Sequence, residues 1–228
     1  MMKKNVVIAG SSRGIGFELV KQFADDGHQV VALSRNIGAL KELNAPQVRA
    51  ISCDIADEKS VKDVLKHIKF NWDAIDILIN NAGKFLKQDF NNTNIKDVKE
   101  VYNTNVFGVF NLTHQLMPLM SDQAHVVTIS SMGGVQGSVK FPGLAAYSSS
   151  KAAVITLTEL LAEEYKDQGA SFNVLALGAV QTEMLEEAFP GVQAPNSAKE
   201  MAEYIKQFSE TAHRFYNGKL LQVSSSTP

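Results

Sequence analysis

The sequence predicts an α/β fold: a doubly wound sheet of about seven parallel strands with helices on both faces. Three observations carry that prediction. Short β-rich apolar runs alternate with longer helical stretches from end to end. Most runs are continuous in Val, Ile and Leu, as in a parallel strand covered on both sides. A glycine-rich turn joins the first run to the first helical stretch.

The elements follow in order. Val6–Ala9 is the first strand, and Phe17, Val20 and Phe23-Ala24 mark a helix reaching Asp26, with Gly27 as its stop. Val30–Leu33 and Val48–Ser52 are the next strands, and Val61, Val64-Leu65 and Ile68 form a second helical stripe. Ile75–Ile79 is a fourth strand, followed by one long helix over Ile95–Met120. His125–Ser130, a helix over Leu144–Tyr165 and the strand Phe172–Leu177 come next. Ser197-Ala198-Lys199-Glu200 has the capping-box pattern that opens a last helix, ahead of the strand Leu220–Val223. With no repeat or linker, residues 1–228 read as one domain. Glu183–Asn196, with Pro190-Gly191 and Pro195, has loop composition and is expected to be a mobile substrate lid.

Composition narrows the function. Twenty-two basic and twenty-four acidic residues leave a formal charge of −2, which offers no electrostatic footprint for nucleic acid or an anionic membrane. Cys53 is the single cysteine and cannot form an internal disulfide. The basic start Met1-Met2-Lys3-Lys4 imitates a signal peptide, but its apolar run breaks at Gly10, short of the roughly 7–15 residues required. No stretch approaches the roughly 18 apolar residues of a membrane span. The five histidines are scattered without ligand spacing, so no protein metal site is expected. A cytoplasmic protein acting on a small molecule is the reading these exclusions leave.

The turn Gly10-Ser11-Ser12-Arg13-Gly14-Ile15-Gly16 lies between a predicted strand and a predicted helix. A sharp turn there needs residues that tolerate positive φ and leave room for a pyrophosphate at the helix N-terminus. Gly10, Ser12, Arg13, Gly14, Ile15 and Gly16 are therefore candidate dinucleotide-binding residues. NAD-preferring folds place a carboxylate at the end of the second strand to hold the ribose 2′-hydroxyl. Here that position reads Ser34-Arg35-Asn36. Arg35 can fork onto a 2′-phosphate and Arg13 can close on it from the other side, so NADP(H) is the expected cofactor.

Tyr147 and Lys151 stand four residues apart, on one helix face. Alone the pair is a cheap pattern in a chain with five tyrosines. Its context is a strand ending Ile129-Ser130-Ser131, with Asn80-Asn81-Ala82-Gly83 and Asn105 upstream and Gly178-Ala179-Val180-Gln181-Thr182 downstream. On these motifs, taken in this order, the sequence resembles the short-chain dehydrogenase/reductase family over essentially its whole length. The resemblance implies a Rossmann-like fold and a catalytic tetrad of Asn105, Ser131, Tyr147 and Lys151. It also implies that Asp54 and Ile55 touch the adenine, that Asn81, Ala82 and Gly83 border the cofactor, and that Val180 and Thr182 hold its carboxamide. Tyr147 and Lys151 would contact the cofactor as well, and Asn105 would sit at a backbone irregularity whose water relays protons to Lys151.

The chemistry supports such roles separately. Carbonyl reduction needs a hydride donor and a proton for the growing oxyanion. A free phenol, with pKa near 10, exchanges protons poorly at neutral pH, and a nearby ammonium would lower that value. Ser131 can orient the substrate oxygen. Two departures stand out: the loop between Ser131 and Tyr147 is long, leaving Ser130 and Ser138 as substitutes, and Leu177-Gly178 replaces the family's usual Pro-Gly. The expected activity is NADP(H)-dependent interconversion of carbonyl and alcohol, with a non-catalytic NADP-binding sensor as the alternative. Relatives suggest a homodimer or homotetramer formed through the two long helices.

Overall fold

The computed structural model describes residues 3–224. Seven strands form one parallel sheet in the order β3-β2-β1-β4-β5-β6-β9. They are β1 (Asn5–Ala9), β2 (Gln29–Ser34), β3 (Val48–Ser52), β4 (Ile75–Asn80), β5 (Met120–Ser131), β6 (Ser171–Leu177) and β9 (Lys219–Val223). The short strands β7 (Val180–Gln181) and β8 (Asn196–Ser197) pair in parallel apart from the main sheet. The helices are α1 (Gly14–Asp25), α2 (Gly38–Glu42), α3 (Glu58–Asn71), α4 (Ile95–Tyr102), α5 (Val109–Leu116), α6 (Ala145–Glu164), α7 (Glu183–Ala188) and α8 (Ala198–Thr211).

The continuous apolar runs are explained by burial on both faces. Val6 and Ile8 of β1, with Ile77 and Ile79 of β4, pack against Leu19 and Phe23 of α1 and Ile205 and Phe208 of α8. Their neighbours Val7, Ala9 and Leu78 point the other way, onto Val61, Val64 and Ile68 of α3 and Leu112 and Leu116 of α5. Each fully buried Val, Leu or Ile contributes about 1.5–3 kcal/mol, so the helical stripes and the strands specify one another. Strand order reverses between β1 and β4, and a crevice opens beyond their carboxyl ends, the place where such sheets bind ligands.

Most predicted elements are present, and the differences have local causes. The predicted helix Ile95–Met120 is interrupted: α4 passes into a π-helical segment at Asn103–Gly108, then α5, then a 3-10 turn at Met117–Leu119. Pro118 has no N–H to continue the helix, and Met120 already begins β5, earlier than the predicted His125. A short helix, α2, follows β2 where none was predicted. Glu183–Asn196 is not loop throughout: the Thr182 hydroxyl accepts the Leu185 N–H and caps α7 over its first six residues. The β7–β8 pairing anchors both ends of this segment. The predicted capping box is complete, with Ser197 and Glu200 each accepting the other's backbone N–H.

Candidate active site

The site begins at the turn after β1. Gly10 has φ +78°, and a Cβ there would stand 2.5 Å from the Ala82 Cα, so the turn lies directly against the end of β4. Gly16 is pressed against the Gly10 carbonyl, where a Cβ would meet the oxygen at 2.1 Å. The Asn81 amide donates to the same Gly10 carbonyl at 2.9 Å, locking the two loops together. Arg13, the N-cap of α1, makes no side-chain cap, and the first turn carries no acid of its own, although the Glu183 carboxylate of α7 stands close to Gly14. Ser12 and Gly14 line a cleft here with Thr182. Ile15 packs on the core beneath.

Arg13 and Arg35 border one cavity of about 460 Å³ that extends past Gly83 and Phe85 to Met184 and Glu187 of α7. Arg35 is exposed at the end of β2 and forms no ion pair among the described residues. Asp54 is exposed after β3, where its Oδ1 accepts the Ala56 N–H at 3.0 Å. Ile55 is buried beneath the π segment, with the Gly108 backbone against its side chain. Val180 is buried in β7, and Thr182 spends its hydroxyl on capping α7 while donating to the Val180 carbonyl at 3.3 Å.

The predicted tetrad gathers beside the cavity-lining Gly83, where a Cβ would stand 3.5 Å from Lys151 Nζ and 3.8 Å from Asn105 Oδ1. Tyr147 is half-buried on α6 with the Phe85 ring 4.8 Å away, and the Ser131 hydroxyl lies close enough to its phenol to favour the phenolate. Lys151, one turn on, is buried; its Nζ donates to the Ile129 carbonyl at 2.9 Å and lies 5.9 Å from the centre of the Tyr147 ring. Asn105 is fully buried in the π segment. Its Oδ1 accepts the Lys84 N–H at 2.6 Å, while its Nδ2 donates to the Lys84 carbonyl at 3.0 Å and to Ser150 Oγ at 2.9 Å. Asn105 thus ties the turn after β4 to α6.

The electrostatics revise one expectation. Burial pushes the Tyr147 phenol up to about 12, only partly offset by the Ser131 hydrogen bond, rather than leaving it lowered by Lys151. Burial likewise pushes the Lys151 ammonium down to about 8. Desolvation is the largest cause for both groups, and the ammonium is turned to the Ile129 carbonyl.

Among the three serines, Ser130 Oγ is buried and donates to the Lys151 carbonyl at 2.8 Å. Ser138 donates to the Met132 carbonyl and accepts from Lys140 inside the long loop. Ser131 accepts the Gly133 N–H at 3.2 Å and is the one of the three whose hydroxyl favours the Tyr147 phenolate. Residues without a sequence motif also belong to the site. Phe85 packs at a tilt against Tyr147, Ser150 anchors Asn105, and Glu187 pairs with Arg13 across 174 residues. Phe85 lies two residues past the Asn-Asn-Ala-Gly motif and could have been suspected; Glu187 had no sequence signal.

A histidine–acid cluster does form elsewhere, where the sequence offered no ligand spacing: Asp26, His28 and Glu210 converge within 4.8 Å. The Lys4 N–H donates to His28 Nδ1, which places the imidazole proton on Nε2, facing Glu210 at 3.0 Å. Asp26 is already paired with Lys206.

The chain belongs to the short chain dehydrogenase family, whose model matches residues 4–193. It is 32% identical over 198 residues to the farnesol dehydrogenase of Aedes aegypti, covering 81% of this chain and 80% of that protein. It is 31% identical over 192 residues to the 3-oxoacyl-[acyl-carrier-protein] reductase of Staphylococcus aureus, covering 81% and 78%. The solved structure of ElxO with NADP bound superposes with a TM-score of 0.87 at 27% identity, covering 97% of each chain. Among the described residues no helix is long and apolar enough to cross a membrane.

Proposed function

We propose that the protein is an NADP(H)-dependent oxidoreductase that interconverts a carbonyl and an alcohol. The observation that carries this reading is one cavity with two arginines at its cofactor end and Gly83 and Phe85 at the other, beside the Ser131–Tyr147–Lys151 cluster. The residues present fit the dinucleotide: the uncapped N-terminus of α1 suits a pyrophosphate, and Arg13 with Arg35 suits a 2′-phosphate that a carboxylate would repel. NADPH, when bound, supplies the hydride.

The chain's own residues supply the proton and the geometry. Ser131 orients the substrate oxygen with its hydroxyl, which lies near enough to the phenol to favour its ionised form. Tyr147, held protonated at neutral pH by burial, donates its proton as the alkoxide develops. Lys151, still charged below about pH 8, stabilises the phenolate left behind. Asn105 positions the Gly83-Lys84 turn against α6. Phe85 and Phe189, with ring centres 6.1 Å apart, cover the phenol with aromatic surface, favouring a substrate apolar near its carbonyl.

A homodimer or homotetramer fits the exposed side chains Phe107, Phe110 and Leu160 on the π segment, α5 and α6. The function is tested by incubating purified protein with NADPH or NADH and a panel of ketones and aldehydes, following loss of reduced-cofactor absorbance. Turnover preferring NADPH is expected. Tight NADPH binding with no turnover across the panel would instead favour a non-catalytic sensor.

A further inference from the structure

Arg13, one of the two arginines assigned to the 2′-phosphate, already has an anionic partner. Its Nη2 donates to Glu187 Oε2 at 3.0 Å and its Nη1 donates to Oε1, a two-pronged pair that ties α7 to the glycine turn. Glu183, one turn earlier on α7, faces the same turn: a Cβ on Gly14 would stand 3.4 Å from its Oε2. Both acids favour the charged form of the Arg13 guanidinium, Glu187 more strongly. Arg13, Arg35 and Glu187 line one cavity. A guanidinium presents one planar fork suited to a two-oxygen acceptor, so a carboxylate and a phosphate are direct rivals for it.

We propose that Glu187 sets cofactor selectivity: its carboxylate competes with the 2′-phosphate of NADP(H) for Arg13. This rests on the NADP(H) reading above. The lid must release Arg13 before the phosphate can be gripped by both arginines, and NADH, which has no 2′-phosphate, does not call for that release. The preference for NADPH is therefore smaller than the two arginines alone would give. A salt bridge that merely steadied the lid would behave differently, because its loss would affect both cofactors alike.

The test is a double-mutant cycle read by binding: fluorescence titration of NADPH and of NADH with the unmodified protein, Glu187→Gln, Arg13→Ala and the double variant. Both side chains are largely exposed, so the variants are expected to fold, which circular dichroism checks. Exposed pairs are worth little, so Glu187→Gln should tighten NADPH by about two- to fivefold and leave NADH unchanged. In the Arg13→Ala background the same substitution should have no effect. Unchanged or weaker NADPH binding, equal gains for both cofactors, or a gain that persists without Arg13 would each overturn the proposal. If the unmodified protein binds neither cofactor, the NADP(H) reading itself fails and takes this proposal with it.

Discussion

Tyr147 is the residue on which the proposed chemistry turns. Removing its hydroxyl while keeping the ring preserves the contact with Phe85 and separates proton donation from packing. Tyr147→Phe should lower turnover by roughly two to four orders of magnitude, the usual contribution of a positioned acid, while NADPH affinity stays within a few-fold. Lys151 adds a pH signature. Its ammonium is held down to about 8 by burial, so it is charged below that pH and neutral above it. The reductive rate constant should therefore be level through neutral pH and fall as pH rises through about 8. A folded Tyr147→Phe variant with full activity would refute the mechanism. Stopped-flow rates across pH on the unmodified protein check the second expectation.

Among the elements, legibility followed the range of the interactions involved. The strands could be read because both faces are buried: Val6 and Val7 need apolar partners on opposite sides, so the run is continuous. The capping box at Ser197 was legible because it is closed within four residues. Tyr147, Lys151 and Ser131 were legible as motifs on predicted elements, and the structure gathers them. What escaped depends on distant partners. Apolar periodicity runs straight through the π segment, so the irregularity at Asn105 was legible only through the family resemblance, and its inward bonds to Lys84 and Ser150 were not. The lid reads as loop because α7 is begun by a single cap, Thr182. The Arg13–Glu187 pair spans almost the whole chain.

His125 is another such cross-element contact. A carbonyl can only accept, so His125 Nδ1 donates to the Ser209 carbonyl of α8, leaving Nε2 to accept from Asn173 of β6. Burial, more than repulsion from His213 and Lys4, pushes this histidine down to about 4 from its ordinary 6.5. A lowered folded-state value means that the unfolded chain binds the proton first as pH falls. The His125 contribution is thus intact above about pH 6.5 and is lost progressively toward pH 4, by on the order of 3 kcal/mol in full. His125→Gln should be less stable than the parent at pH 7, with the gap narrowing as pH falls. Urea unfolding at pH 7, 5.5 and 4.5 measures it, and a constant gap would contradict the assignment.

For the whole molecule, the topology explains both the position of the site and the surface left over. The strand order reverses between β1 and β4 in the parallel sheet, so the glycine turn, the Asn81 loop and α7 meet beyond the same strand ends. α1 and α8 cover one face of the sheet, and α3, α5 and part of α6 cover the other. Beyond that second face, Phe107, Phe110 and Leu160 remain more than half exposed, although the sheet already has its full complement of helices. Phe110 is stacked on His114 with ring centres 6.0 Å apart, which presents a flat aromatic surface outward. A net charge of only −2 provides little repulsion between copies. Apolar residues grouped on adjacent helices are best covered by the same surface of a second copy, because a two-fold axis makes one patch complementary to itself. Light scattering coupled to size exclusion should therefore give a mass at least twice that of the chain. Leu160→Glu and Phe110→Glu, each placing a charge in that surface, should shift the protein toward monomer without loss of its circular dichroism. A monomeric parent would refute the assembly, and an oligomer indifferent to both substitutions would move the interface elsewhere on the molecule.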